Sequence, residues 1–127
     1  MKYAFIMVGG AVGSLLRYLL QGWGQAATSG TFPLGTLIVN VAGCFAIGCL
    51  NALFTGPWPI RADYRTGIIV GLLGGFTTFS AFGWETFSMA NEGQALRALV
   101  NVLSSVTLGL AAVWGGYRLA GRWFGVA

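Results

Sequence analysis

The string with most chemical promise is Gly74-Gly75-Phe76-Thr77-Thr78-Phe79-Ser80-Ala81-Phe82, which puts two glycines and three hydroxyls inside an apolar run. Adjacent glycines and β-branched threonines are poor helix formers, so a helix is predicted to break here, near its middle. A break frees backbone carbonyls, which can hold a cation, and N–H groups, which can hold an anion. The competing reading is a straight helix whose hydroxyls bond back to their own backbone. Polar residues recur on other apolar runs. At about 100° per residue, Thr36, Asn40, Gly43, Ile47 and Asn51 fall in one narrow arc, and Asn101 and Ser105 share a face with Ala112 below them. Amides and hydroxyls so placed are expected to face protein or a water path. Phe79 and Phe82, if helical, share a face with Thr86; from composition alone, packing is their reading.

Two charges sit inside apolar runs. Arg17 is about six residues from the end of its run, so it either snorkels to the interface or draws anions to a pore mouth. Glu85 is too deep to snorkel and is expected to line something wet, because an unpartnered buried carboxylate would protonate or be expelled. The chain has no histidine, the commonest proton shuttle and metal ligand. Cys44 and Cys49, five residues apart, point to different sides of a helix and cannot pair. They read as apolar filler.

These residues must be positioned by elements that a watery protein could not build. Of 127 residues, 56% are hydrophobic and 8% charged, against about 25% charged in soluble domains. That excludes a soluble enzyme, a disordered tail and a collagen-like fibre. The net charge of +4 comes from cations scattered singly at helix ends, which is no nucleic-acid patch. The composition points to a single all-α transmembrane domain over residues 1–127 with four spans, at about 3–23, 34–54, 66–89 and 96–119. Each is near the ~20 residues that cross the hydrocarbon. Thr31-Phe32-Pro33 precedes the second span, Gly56-Pro57-Trp58-Pro59 follows it, and Ala90-Asn91-Glu92-Gly93-Gln94 forces the last two spans to be antiparallel neighbours. The first run opens like a signal peptide, but Arg17 interrupts it and no clear cleavage site follows, so it reads as retained. Gly9 and Gly13, and Gly67, Gly71 and Gly75, stand at four-residue steps that let helix backbones approach closely. A chain this small cannot enclose a pore alone, so an oligomer is expected.

Three functions fit four small spans. A proton-coupled exporter of cationic drugs needs a membrane carboxylate, and only Glu85 is available. An accessory subunit explains the glycine grooves but not polar residues on three spans. A pore for a small ion, with amide and hydroxyl donors and almost no acid, favours an anion. Ring edges, the positive part of the aromatic quadrupole, can hold it more loosely than Lys or Arg would. No enzyme is expected, since Ser80 has no evident activating base.

The sequence resembles the Fluc, or CrcB, fluoride channels over essentially its whole length. The resemblance lies in Gly9-Gly10-Ala11-Val12-Gly13-Ser14-Leu15-Leu16-Arg17-Tyr18, in Gly35-Thr36-Leu37-Ile38-Val39-Asn40 with Gly43 and Gly48, and in Gly71-Leu72-Leu73-Gly74-Gly75-Phe76-Thr77-Thr78-Phe79-Ser80-Ala81-Phe82 with Glu85. The stretch from Asn101 to Ser105 matches more loosely. The resemblance implies an antiparallel dimer with two fluoride pores at the subunit interface, lined by Phe79 and Phe82, with Asn40 donating to the anion. Thr77, Thr78 and Ser80 belong to that region, Asn101 and Ser105 continue the polar track, and Arg17 lies towards the vestibule. It also implies a structural Na+ at the dimer centre, held by the backbone carbonyls of Gly74 and Thr77, and no catalytic cofactor. Asn101 stands where some members carry tyrosine, and Gly83 where a hydroxyl is more usual.

The implied function is passive export of cytoplasmic fluoride across a bacterial plasma membrane, conferring fluoride resistance. The implied partners are fluoride, membrane lipid and a second copy or a sister chain of opposite orientation. Lys2, Arg61, Arg65, Arg118 and Arg122 lie on the side of the termini against Arg97 and Arg17 on the other. By the positive-inside rule this places both termini in the cytoplasm, whereas an antiparallel homodimer requires the chain to insert both ways.

Overall fold

The computed structural model of the chain describes residues 1–28, 30 and 32–125. Thr31, read as part of the loop before the second span, lies outside them. Among the described residues, four helices are long and apolar enough to cross a membrane: Lys2–Ala26, Leu34–Thr55, Ala62–Asn91 and Ala95–Phe124. Among the described residues there is no strand. The first two spans are α1 (Lys2–Ala26) and α2 (Leu34–Thr55). The third begins as α3 (Ala62–Thr66), continues as a π-helix (Gly67–Leu73) and a last turn, α4 (Gly74–Phe76), and resumes as α5 (Phe79–Asn91). The fourth is α6 (Ala95–Phe124). Each helix runs past its predicted span by one to five residues at one or both ends. Helical hydrogen bonding does not stop at the hydrocarbon edge, so polar and aromatic residues such as Gln25, Arg122 and Trp123 extend it into the headgroup region.

Local chemistry sets the ends. Helix α2 stops at Gly56, before Pro57, which cannot continue it. Between α5 and α6, Gly93 takes φ 77°, a left-handed conformation that glycine enters without steric cost. The Gln94 N–H then donates back to the Met89 carbonyl at 2.8 Å. The short turn makes α5 and α6 neighbours, as predicted.

Helix α2 packs chiefly on α6, and α1 chiefly on the π-helix. Glycine permits both contacts. A Cβ on Gly9 would lie 2.5 Å from the Gly67 carbonyl oxygen, one on Gly75 would lie 2.6 Å from that of Gly10, and one on Gly13 would strike the Leu72 carbonyl. The four-residue glycine steps are thus used inside the chain, between the first and third spans, and give no argument for an oligomer. Gly13→Val should destabilise the fold by about 3 kcal/mol or more, read as loss of a sharp melting transition in detergent. Gly22, where an added Cβ would meet nothing within 4 Å, should accept alanine without loss.

The outer surface is apolar. Val8, Leu15 and Leu19 on α1 and Leu103 and Leu110 on α6 are all exposed, as lipid-facing side chains must be. Exposed Tyr3, Trp58, Tyr64 and Trp123 gather near the ends of spans on the side of the termini, the level at which amphipathic rings anchor a protein to the interface.

Candidate ion site at a broken helix

The third span breaks where its sequence is weakest. Thr77 (φ −83°, ψ 158°) and Thr78 (φ −148°, ψ 112°) are extended, and the helix restarts at Phe79. The first half closes on Leu73, whose carbonyl accepts from both the N–H and the hydroxyl of Thr77, at 2.9 and 3.0 Å. The second half opens on Thr78, whose Oγ1 accepts from the Ala81 N–H at 3.2 Å as a side-chain cap. That hydroxyl also lies 3.4 Å from Ser80 Oγ.

The extended peptide of the break is held from α2. Asn40 Nδ2 donates to the Thr78 carbonyl at 2.9 Å, and its Oδ1 accepts from the Thr78 N–H at 2.8 Å. A side-chain amide thereby replaces the backbone partners that Thr78 loses by leaving the helix. This two-point clamp lets an extended residue exist at membrane depth, where an unpaired peptide group is costly. Nδ2 carries two protons and Thr78 uses one.

Around the clamp lies an open cavity of about 380 Å³. Asn40, Gly74, Thr77, Thr78, Phe79, Phe82 and Ser105 line it, with apolar walls from Ile47, Ile69, Leu73 and Val106. The Phe79 and Phe82 rings, one helical turn apart, have centroids 5.5 Å apart and planes 45° apart. Phe79 is 82% exposed in the single chain, while Phe82 is half-buried. Ser80 is exposed beside them and reaches the site through Thr78.

Other predicted residues stand apart from this cavity. Asn101 is only 2% exposed and its Nδ2 donates to Thr86 Oγ1 at 2.9 Å, while that hydroxyl donates to the Phe82 carbonyl at 2.7 Å. It therefore braces α5 against α6 just below the Phe82 turn. Arg17 is half-exposed on α1, nine residues from the helix end, a longer reach to the interface than the predicted span suggested. Asn51, on the polar arc of α2, donates to its own Ile47 carbonyl and accepts from Arg65. Cys44 and Cys49 are free thiols. Cys44 lines the cavity, and Cys49 donates to the Gly116 carbonyl.

A second polar line went unassembled in the sequence. Gln21 Nε2 donates to Thr36 Oγ1 at 2.9 Å, and Thr36 donates to Glu85 Oε1 at 2.7 Å, joining three spans. Glu85 Oε2 is buried and has no hydrogen-bond partner among the described residues. Thr36 and Glu85 were individually conspicuous, but 49 residues separate them. Gln21 had one available signal: it lies four residues after Arg17, on the same helical face.

Four apolar helices, the third broken at an amide-clamped cavity of hydroxyls and aromatic rings, define a small polytopic membrane protein of the broken-helix kind, in which ion sites are built from interrupted backbone. Within that class the chain belongs to the CrcB-like family: the family model described as "CrcB-like protein, Camphor Resistance (CrcB)" matches residues 4–117. It is 52% identical to a protein of Solibacter usitatus over 125 residues, covering 96% of this chain and 100% of the other. It is 44% identical to one from Desulforapulum autotrophicum, covering 93% and 94%, and 45% identical to one from Rhodospirillum rubrum, covering 92% of each. All three relatives are named fluoride-specific ion channel FluC. The chain is a multi-pass membrane protein of a bacterial family.

Proposed function

We infer that this chain is a passive, fluoride-selective channel that exports cytoplasmic fluoride across a bacterial plasma membrane. The observation that carries the reading is the break itself, in a chain so similar to named fluoride channels: an amide, hydroxyls and two aromatic rings line one cavity, and no carboxylate is among its described lining residues. The second proton of Asn40 Nδ2 and the hydroxyls of Thr78, Ser80 and Ser105 are the donors. The edges of Phe79 and Phe82 add positive quadrupole without the grip of a full cation. Arg17 concentrates anions at the vestibule. Asn101 serves the track by fixing Thr86 and the Phe82 turn. A drug exporter is not supported, because the one deep carboxylate, Glu85, is engaged by Thr36 and lies outside the cavity.

The working unit on this reading is the antiparallel dimer that the resemblance implies, and the open break supports a second subunit. The cavity and the exposed Phe79 open on the side of a single chain, and a broken helix cannot face lipid. A second copy would cover it; a sister chain of opposite orientation would do so equally. A structural Na+ fits the same region. Gly74 and Thr77 both border the cavity, and a side chain at Gly74 would meet nothing closer than 3.9 Å. Among the described residues there is no cluster of acidic, His or Cys ligands, so backbone carbonyls at the C-terminal end of the first half-helix are the donors, as suits a hard monovalent cation. The ion would supply a fixed positive charge beside the pores.

Fluoride enters an acid-stressed cell as neutral HF and dissociates inside. A negative interior drives the anion out with about 2.3 kcal/mol per charge per 100 mV, so a pore needs no coupling ion. Purified protein in liposomes loaded with both halides should release fluoride, read by a fluoride electrode, and retain chloride. Proton-driven drug transport without fluoride release would sink the assignment.

A further inference from the structure

The first and third spans leave a second concavity that the ion site does not use. It is an apolar groove of about 220 Å³ lined by Phe5, Gly9 and Val12 of α1 and by Tyr64, Gly67 and Leu72 of the third span. Its floor exists because of glycine: a Cβ on Gly9 would meet the Gly67 carbonyl and one on Gly67 would meet Phe5, and the missing side chains leave a trough between flanking apolar ones. On the third span Leu72 faces this groove while its neighbour Leu73 faces the broken-helix cavity, so the two open on different faces. From Phe5 to Val12 the groove follows α1 for about 10 Å into the membrane at 1.5 Å per residue.

Its outer end is basic. Phe5 and Tyr64 meet at the mouth as a tilted pair, with centroids 4.8 Å and planes 50° apart. The Arg61 guanidinium lies 5.8 Å from the Tyr64 ring centre, and Lys2 stands one helical turn before Phe5. Both cations are exposed, and neither has an ion-pair partner among the described residues. Asp63, two residues from Arg61, makes no ion pair with it among the described residues. Arg65, by contrast, is turned away to Asn51 at 3.2 Å. An apolar trough that starts at the interface under two unpaired cations matches one chemistry, a long apolar chain carrying a negative head. Basic pockets between spans hold anionic lipid headgroups in this way.

We propose that the groove between α1 and the π-helix is a binding site for an anionic phospholipid, with one acyl chain along Phe5, Gly9 and Val12 and the phosphate at Lys2 and Arg61. Each cation should raise affinity about fivefold over a zwitterionic lipid of the same chains.

The test uses the intact protein in neutral detergent, exchanged against phosphatidylglycerol or phosphatidylcholine of identical acyl chains and read by native mass spectrometry. Phosphatidylglycerol should be retained about 25-fold more tightly, as two such cations require. Lys2→Gln with Arg61→Gln should bring it down to the phosphatidylcholine level, and Val12→Trp, which fills the trough, should lower retention of both lipids. Arg118→Gln, which removes a cation stacked on Trp114 away from the groove, should change nothing. Equal retention of the two lipids by the unaltered protein would overturn the proposal. So would an Arg118→Gln loss as large as that of the double variant, since it would mean diffuse charge rather than a site. The readout is lipid mass, so the result is independent of whether the chain conducts fluoride.

Discussion

Phe79→Ile and Phe82→Ile should each lower fluoride efflux from proteoliposomes by at least about tenfold, with the assembly's size unchanged in both and the melting behaviour of Phe79→Ile unchanged as well. Isoleucine keeps apolar bulk and removes only the ring and its positive edge. Phe79 makes the sharper test. It is 82% exposed in the single chain, so within the chain it has little packing to lose, and a purely structural role predicts a small effect. Phe82 is half-buried and sits on the turn fixed by Thr86 and Asn101, so some loss of stability there is tolerable to the reading. A tenfold loss corresponds to about 1.4 kcal/mol on the conduction barrier, within reach of one ring edge meeting an anion that has shed part of its hydration shell. Unaltered efflux from both variants would return the two rings to packing.

The four spans were legible because lipid imposes one demand, that every backbone polar group be satisfied within the helix, and apolar runs of sufficient length announce it. The break was legible to within a few residues for the same reason in reverse: Gly74-Gly75 and Thr77-Thr78 are poor helix material, but the glycines stay helical and only the threonines are extended. What holds the break was not. That Asn40 lies on a polar arc follows from helical spacing, but that its amide grips both sides of Thr78 depends on how α2 meets the third span. The π-helix from Gly67 to Leu73 also left no mark. Its residues are ordinary for a membrane helix, and the wider turn accompanies the close packing of α1 through Gly9 and Gly13. The same packing uses the glycine steps as their spacing predicts, for close approach of helix backbones, here between the first and third spans. Thr36 and Glu85 show the limit clearly: each was conspicuous for its own polarity, and only the fold makes them donor and acceptor at 2.7 Å.

Asn40 should be the most damaging single position, and for two reasons that separate in the laboratory. Its amide is a donor to the Thr78 carbonyl and an acceptor from the Thr78 N–H. Asn40→Asp keeps the acceptor and loses the donor, setting a second carboxyl oxygen against the Thr78 carbonyl and, when ionised, a negative charge in the path of an anion. Fluoride efflux should fall to the background of empty liposomes. Asn40→Ala adds no charge but leaves both groups of the Thr78 peptide unpaired, at about 1–3 kcal/mol for each buried group. It should therefore lower the melting temperature in detergent as well as the efflux. Were Asn40 only an anion donor, alanine would weaken conduction and leave stability alone. An Asn40→Ala protein as stable as the parent would remove the clamp from the account, while an Asn40→Asp protein that still conducts would remove the residue from the pore. The geometry shows the clamp, and the proposed pore role would add the second Nδ2 proton to it: the helix can remain open only while something else holds the strand of backbone that opened it.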